Sequence, residues 1–224
     1  MRRQKSPLVR PPRAAEAGKI ASVTSAGRGG RRVEITMESG TTYTVDSNVA
    51  YDAGIAPNLT LEQAEIQALL DSDDLLAAKQ VATRQLSYRP RSISELRQTL
   101  GQRGFGPQII DQVIERFSEL GYLDDADFAR RWIQTREQLA PRGTRLLKQE
   151  LRQKGIDTDL ADEALADADL DELDAATRIA ERRLPKMTGL DRDTQRRRLA
   201  GYLERRGFSH DVVRQIDRKY FREM

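Results

Sequence analysis

Side chains able to act as nucleophiles or transition-metal ligands are scarce in this sequence. Its 224 residues contain one histidine, His210, and no cysteine. Without a thiol, zinc–thiolate sites and disulfides are excluded, and with a single histidine most nucleophile–base pairs and most usual transition-metal sites are excluded as well. His210 follows Ser209 at a predicted helix start, where a surface position in the first turn is the simplest interpretation. The sequence therefore predicts a binding protein with no catalytic residue and no cofactor.

Two short stretches resemble ligand sites, and each has a simpler structural interpretation. Asp124, Asp125 and Asp127 could bind magnesium, but acidic residues at a helix N-terminus are already favoured by the helix dipole. The sequence Gly-Arg-Gly-Gly over residues 27–30 lacks the Gly-Lys-Ser/Thr ending of a phosphate loop and a following helix, so it predicts a hairpin loop. The sequence predicts no metal site.

Charge is segregated along the C-terminal half. Residues 156–174 hold nine Asp or Glu and no Lys or Arg, whereas residues 178–222 hold fourteen Arg or Lys and six acids. Such blocks favour an acidic and a basic surface with different roles, although solvated helix faces explain many single charges. The candidate contacts to DNA or to a protein partner are Arg142, Arg145, Lys148, Arg152, Lys154, Arg196, Arg197, Arg198, Arg205 and Arg206.

The N-terminal quarter combines a basic arm with strands. Residues 1–17 contain three prolines and five Arg or Lys against one Glu, which predicts a disordered arm. Alternating apolar residues over 19–46 predict three antiparallel strands within a small sheet at 18–50. From Thr60 onward the pattern is helical, with Thr60 as the expected N-cap and Gln63 as its capping-box partner. A connecting helical segment is expected at 51–73.

A three-helix unit then occurs as three tandem repeats, with expected boundaries at 74–123, 124–170 and 171–224. In each copy a glycine followed by an apolar residue separates the second helix from the third: Gly104, Gly155 and Gly207. Glycine adopts the left-handed conformation cheaply past a helix end, and the next apolar side chain packs back on the last turn. Second helices are expected to begin at Ser92, Gly143 and Asp191. Ala180 to Leu199 is five residues longer than the matching intervals, which predicts a longer loop near 184–192.

Several motifs together are similar to the RecX family of bacterial regulatory proteins, over about residues 60–222. They are "GYLDD" at 121–125, Phe128-Ala129, Arg142-Gly143, and Glu150-Leu151 followed by Lys154-Gly155-Ile156. The motif residues taken as structural are Gly104, Gly121, Tyr122, Leu123, Asp124, Asp125, Phe128, Gly143, Gly155 and Gly207.

The resemblance implies a cytoplasmic, non-enzymatic protein that acts in homologous recombination, DNA repair and the SOS response. Members of this family bind the RecA filament on single-stranded DNA and inhibit or modulate its ATPase, strand exchange and co-protease activities. Two alternatives stay open. The chain could be a helical-repeat protein that binds single- or double-stranded DNA without sequence specificity, or it could be a scaffold for another partner.

The expected fold is mainly α. Tandem three-helix repeats would form an elongated curved solenoid after a small antiparallel β-sheet. No run of 18 apolar residues exists, so no membrane span is expected, and the chain is expected to be a monomer.

Overall fold

The computed structural model describes residues 13–27 and 29–221 and confirms the mainly-α class. Helices predominate, and a small antiparallel sheet precedes them. The backbone divides into two compact units. One comprises the described residues up to Arg89 together with Leu96–Tyr122, and the other comprises Pro90–Glu95 with the described residues from Leu123 onward.

The sheet of the first unit has four strands instead of the three predicted. They are β1 (Gly18–Ala26), β2 (Arg32–Met37), β3 (Thr42–Asp46) and β4 (Thr60–Leu61), in the order β3-β2-β1-β4 with antiparallel pairing. Apolar residues alternate along the strands, so one face carries Ile35, Met37, Tyr43 and Val45 into the core. The fourth strand is only two residues long, too short to leave a periodic pattern in the sequence.

Helix α2 runs unbroken from Gln63 to Leu86, across the boundary expected at residue 74. The shorter helix α1 (Ser47–Asp52) precedes β4. The predicted cap at Thr60 is wrong, because Thr60 is paired with Lys19 in the sheet. Glu62 is the N-cap instead, and it exchanges capping-box hydrogen bonds with Glu65. The first half of α2 packs on the sheet, and its second half is the first helix of repeat one.

Asp73 holds residue 13 and the sheet together. Its side chain is buried and accepts hydrogen bonds from the Arg13 guanidinium at 3.0 Å, from Arg32 at 3.1 Å and from the Asp46 backbone N–H at 2.8 Å. The expectation of a disordered arm therefore does not hold from Arg13 onward, and residues 1–12 lie outside the described part. A buried carboxylate of this kind requires several donors to offset its lost hydration.

The remaining helices follow the repeat pattern. Repeat one continues with α3 (Ile93–Gly101) and α4 (Pro107–Glu119). Repeat two contains α5 (Asp125–Leu139), α6 (Thr144–Gln153) and α7 (Thr158–Asp167). Repeat three contains α8 (Glu172–Arg183), α9 (Arg192–Arg205) and α10 (His210–Phe221). Each second helix buries two leucines four residues apart, which are Leu96 and Leu100, Leu147 and Leu151, and Leu199 and Leu203. Repeats two and three each have a core of their own within the second unit.

The loop predicted after α8 is in part a helical continuation. Leu184–Met187 form a 3-10 turn that directly follows Arg183, and an irregular segment then leads to the α9 cap at Asp191. Part of the extra length of repeat three therefore extends α8 by a 3-10 turn that carries Lys186, instead of forming only a loose loop.

The left-handed glycines predicted between second and third helices are present. Gly104, Gly155 and Gly207 have φ between 76° and 84°. At each, the N–H of the following apolar residue bonds the carbonyl five residues before it, for example Ile156 to Leu151 at 3.0 Å. Gly121 makes the same cap after α4, and Tyr122 there contacts Phe117.

Two of the glycines also lie where backbones meet within the second unit. A Cβ on Gly207 would overlap Leu146 at the start of α6, and the N–H of Gly143, the α6 N-cap, bonds the Arg206 carbonyl at 2.9 Å. Gly155 lies equally close to Ser94, whose neighbour Ser92 donates its hydroxyl to the Lys154 carbonyl at 2.6 Å. The glycine turn of α9 therefore docks on the first turn of α6, and the glycine turn of α6 docks on Pro90–Glu95.

Candidate functional site

The "LDD" part of the motif at 121–125 has a structural role. Leu123 is buried, and Asp124 caps α5 by accepting from the N–H groups of Ala126 and Asp127. Asp125 accepts from the Ile93 N–H at 2.9 Å, and burial raises the pKa of its carboxyl. Within the described part of the chain, no group of acidic or histidine side chains is arranged to hold a metal ion.

Arg142 belongs to a cluster around a buried carboxylate. Glu150 accepts from the Trp132 indole N–H at 2.9 Å and from Arg136 at 3.0 Å, and it also pairs with Arg142. Burial, with Arg136 and Arg206 nearby, lowers the pKa of the Arg142 guanidinium. Three donors to one carboxylate offset its desolvation, so Arg142 serves the fold of repeat two.

Lys154 is engaged beside the same cluster. Its ammonium pairs with Glu95 at 2.6 Å and lies 5.0 Å from the centre of the Trp132 ring, over which Arg136 also lies at 4.1 Å. Trp132 is half-buried, and its indole N–H, at the polar edge of the ring, donates to Glu150.

The other candidates on α6 are spread over its surface. Arg145 donates to the Glu204 carbonyl at 3.0 Å, Lys148 pairs with Asp162 at 2.6 Å, and Arg152 is exposed near the helix end. The structure does not bring these three together as one site. Of the three, Lys148 has its charge paired with a carboxylate, and Arg145 donates to a neutral carbonyl.

The arginines of α9 separate into paired and groove-lining groups. Arg196 makes two hydrogen bonds to Asp217, at 2.5 and 2.8 Å, and these bonds raise its pKa. Arg197, Arg198 and Arg205 instead line a groove. Arg206 is half-buried and donates to the Pro141 carbonyl at 3.4 Å.

This groove, which we call the basic groove, has a volume of about 590 Å³. One side comes from the end of α8 and the 3-10 turn, and the other from α9. Residues 198, 202 and 205 share a helix face because they are spaced by four and three positions. The lining residues are Arg183, Lys186, Met187, Arg197, Arg198, Tyr202 and Arg205.

Tyr202 organises the base of the groove. The Arg183 guanidinium lies 3.6 Å from the centre of its ring, and the Arg206 guanidinium lies 5.1 Å from it. A smaller cavity of about 250 Å³ adjoins the groove and shares Arg183, Lys186 and Tyr202 with it. Cation–π contacts of this type fix the direction of otherwise flexible arginines.

The basic groove is built to attract anions. Within residues 13–27 and 29–221, no ion pair joins any of its five cations to a carboxylate. Arg183, Lys186 and Tyr202 were missed by sequence reasoning. Only Lys186 of these lies in the longer segment of repeat three, which the sequence pattern predicts as a loop.

Several acidic side chains of residues 156–174 cap helices or accept hydrogen bonds from nearby backbone N–H groups. Asp157 and Asp171 are the N-caps of α7 and α8. Glu172 accepts from the Thr144 N–H at 2.5 Å and from the Ser209 N–H at 3.4 Å, so one carboxylate serves two helix starts. Several of these charges therefore have structural partners.

None of the described helices is long and apolar enough to cross a lipid bilayer.

Comparisons with known proteins agree with this architecture. Models of the first, second and third three-helix domains of RecX match residues 78–117, 124–165 and 170–216. Regulatory protein RecX of Streptomyces coelicolor is 32% identical over 152 residues, which are 67% of this chain and 81% of that protein. The protein of the same name from Bacillus licheniformis is 29% identical over 195 residues, 87% of this chain and 74% of that protein.

A solved structure supports the fold. A crystal structure of regulatory protein RecX superposes with a TM-score of 0.66 at 21% identity, covering 90% of this chain and 99% of the other. The three matched domains coincide with the three helix triplets whose glycine turns and leucine pairs are described above. This chain is therefore a member of the RecX family of regulatory proteins.

Proposed function

We propose that the chain regulates RecA by binding its filament on single-stranded DNA and lowering its ATPase, strand exchange and co-protease activities. The observation that carries this proposal is the series of three matched RecX domains, together with relatives named as regulatory proteins. A filament presents the same surface many times, and tandem repeats suit such a partner because each repeat offers a similar face. This role would place the chain in the cytoplasm.

The proposed mechanism is binding without turnover. The chain's one histidine, His210, is exposed at the start of α10. The most concentrated charges of the third repeat line an open groove instead of a closed reaction pocket. Regulation would then depend on which surfaces of the filament the repeats cover.

The test is RecA's DNA-dependent ATP hydrolysis on preformed filaments. We expect substoichiometric protein to lower the rate, because one ligand that spans several protomers or blocks filament growth affects more than one active site. Unchanged ATPase and strand exchange at excess protein would refute the proposal, and so would an intrinsic ATPase or nuclease activity of the chain that survives purification.

A control separates filament binding from loss of DNA. Direct DNA binding is a second candidate function that the basic groove favours. If the protein acted only by sequestering DNA, extra single-stranded DNA would restore the ATPase. A filament ligand should still inhibit, at least in part, when Arg197, Arg198 and Arg205 of the basic groove are replaced with alanine, whereas a protein that only sequesters DNA should not.

A further inference from the structure

The arginines of repeat three differ in how their charge is neutralised. Outside the groove, Arg178 pairs with Asp174, Arg196 with Asp217, and Arg214 with Asp211. Four further arginines outside the groove, Arg182, Arg192, Arg206 and Arg218, have no ion pair within the described residues, but the four do not share one concavity. The five cations of the basic groove have no such ion pair among the described residues. Like charges around one concavity repel each other, so this arrangement is favourable chiefly when an anion lies between them.

Helix α9 also contains a glycine next to a groove-lining arginine. Gly201 lies inside the helix, where glycine costs about 1 kcal/mol relative to alanine. A Cβ at this position would approach the Arg205 guanidinium at 3.3 Å. The helix therefore tolerates a destabilising residue beside a groove-lining arginine.

From these observations we propose that the basic groove binds the phosphodiester backbone of single-stranded nucleic acid without contacting its bases. Cations come from both sides of the groove, so its ligand must present negative charge in more than one direction, which a flexible single strand does by rotating successive phosphates. Nucleic-acid grooves that read bases offer a free aromatic face for stacking. The ring of Tyr202 instead has the Arg183 and Arg206 guanidiniums at 3.6 and 5.1 Å from its centre.

The inference rests on the second candidate function, direct DNA binding, and names its ligand and its site, so it is tested on the isolated chain. The full-length protein is titrated into labelled oligo(dT), and binding is followed by fluorescence anisotropy without RecA. Five phosphate contacts predict a log–log salt slope of about −3.5, so affinity should fall about 130-fold between about 50 and 200 mM salt.

Two triple variants with the same change of net charge locate the site. Replacing Arg197, Arg198 and Arg205 with alanine should leave a slope of about −1.4, an affinity loss of only about 7-fold over the same salt range. Replacing Arg178, Arg196 and Arg214 with alanine removes three paired arginines of the same repeat and should leave the parent slope. Equal effects of the two triples, with helical circular dichroism unchanged, would overturn the assignment to the groove.

Three competitors define the ligand class. An abasic oligomer of equal length should bind as tightly as oligo(dT), within about twofold, because phosphates carry the contacts. A tenfold weaker abasic oligomer would show that bases are bound. Poly-glutamate should compete poorly, and displacement at equal charge concentration would assign the groove to an acidic protein segment. A duplex that binds more tightly than the single strand would also overturn the proposal. None of these results depends on whether the chain inhibits RecA.

Discussion

Single residues in this chain carry two kinds of constraint, conformational and steric. Gly121 and Gly207 both have positive φ, yet they differ in surroundings. A Cβ on Gly121 would meet open space, whereas one on Gly207 would overlap the backbone nitrogen and Cβ of Leu146. Glycine is therefore required at position 207 for two reasons, its positive φ and its contact with Leu146, but at position 121 only for its positive φ.

This difference predicts unequal costs of substitution. Gly121→Ala should lower the free energy of unfolding by about 1–2 kcal/mol, the cost of a left-handed conformation for a residue with a Cβ. Gly207→Ala should cost at least about 1 kcal/mol more, because backbone atoms must also shift. Urea denaturation of the two variants measures both values, and equal losses would show that the junction adapts freely.

A second residue-scale constraint is charge. Glu150 is buried and holds Trp132, Arg136 and Arg142. Removing the charge leaves two guanidiniums without their counter-ion. We expect Glu150→Gln to destabilise by about 2–3 kcal/mol, below the usual cost of breaking a fully buried pair because both arginines are partly exposed.

The single tryptophan reports this change directly. Trp132 is the chain's one indole and donates to Glu150, so its fluorescence follows the unfolding of this cluster. Glu204→Gln, on the exposed face of α9, is the matched control and should leave the midpoint of the unfolding transition unchanged. Identical midpoints for the two variants would contradict the structural role given to Glu150.

At the scale of elements, short helices depend on their ends. Most helices here have fewer than sixteen residues, which is marginal for an isolated helix. Their ends carry side-chain caps and glycine turns that satisfy the free backbone groups. Helix α9 shows the connection to function, since Asp191 caps the helix that carries the groove arginines.

The Asp191 cap predicts a pH-dependent stability. Hydrogen bonds from Thr194 lower the pKa of the Asp191 carboxyl, so its contribution is present above the ordinary aspartate range and is lost as the pH falls through the lowered pKa. Asp191→Ala should therefore lower the melting temperature near neutral pH, and the difference from the parent should shrink in acid. Asp191→Asn keeps an acceptor and should melt closer to the parent near neutral pH. A difference that grows in acid would contradict this sign.

At the scale of the whole molecule, two compact units have their own cores. Large exposed apolar side chains are dispersed along the sequence, from Tyr51 and Tyr88 to Leu139 and Leu173. Isolated apolar residues of this kind are normal on monomer surfaces. Charged residues make up 33% of the chain, which also disfavours self-association through an apolar face.

We therefore expect the free protein to be a monomer. Light scattering coupled to gel filtration should give a mass near 25.4 kDa at micromolar concentration. A mass near twice that value, independent of salt, would reveal an interface that the surface pattern does not predict.

The sequence by itself determined the features that depend on local chemistry. The three left-handed glycines, the leucine pairs and the caps at Gly143 and Asp191 were predictable because each depends on residues within one or two turns. Repetition of these local signals at a nearly constant interval also predicted three tandem helix triplets. The sequence missed β4 and ended the connecting helix too early, because a two-residue strand has no period and α2 serves two cores.

Only the tertiary structure decided which charges are available to a partner. Arg142, Arg196 and Lys154 lie close to other basic residues in the sequence, yet each is paired with a carboxylate eight or more positions away. The sequence pattern does not distinguish Arg183 and Lys186 from other basic residues. The 3-10 turn places them beside α9, where they line the basic groove. Charge availability depends on contacts between elements, and those contacts are set by packing, which local sequence pattern does not encode.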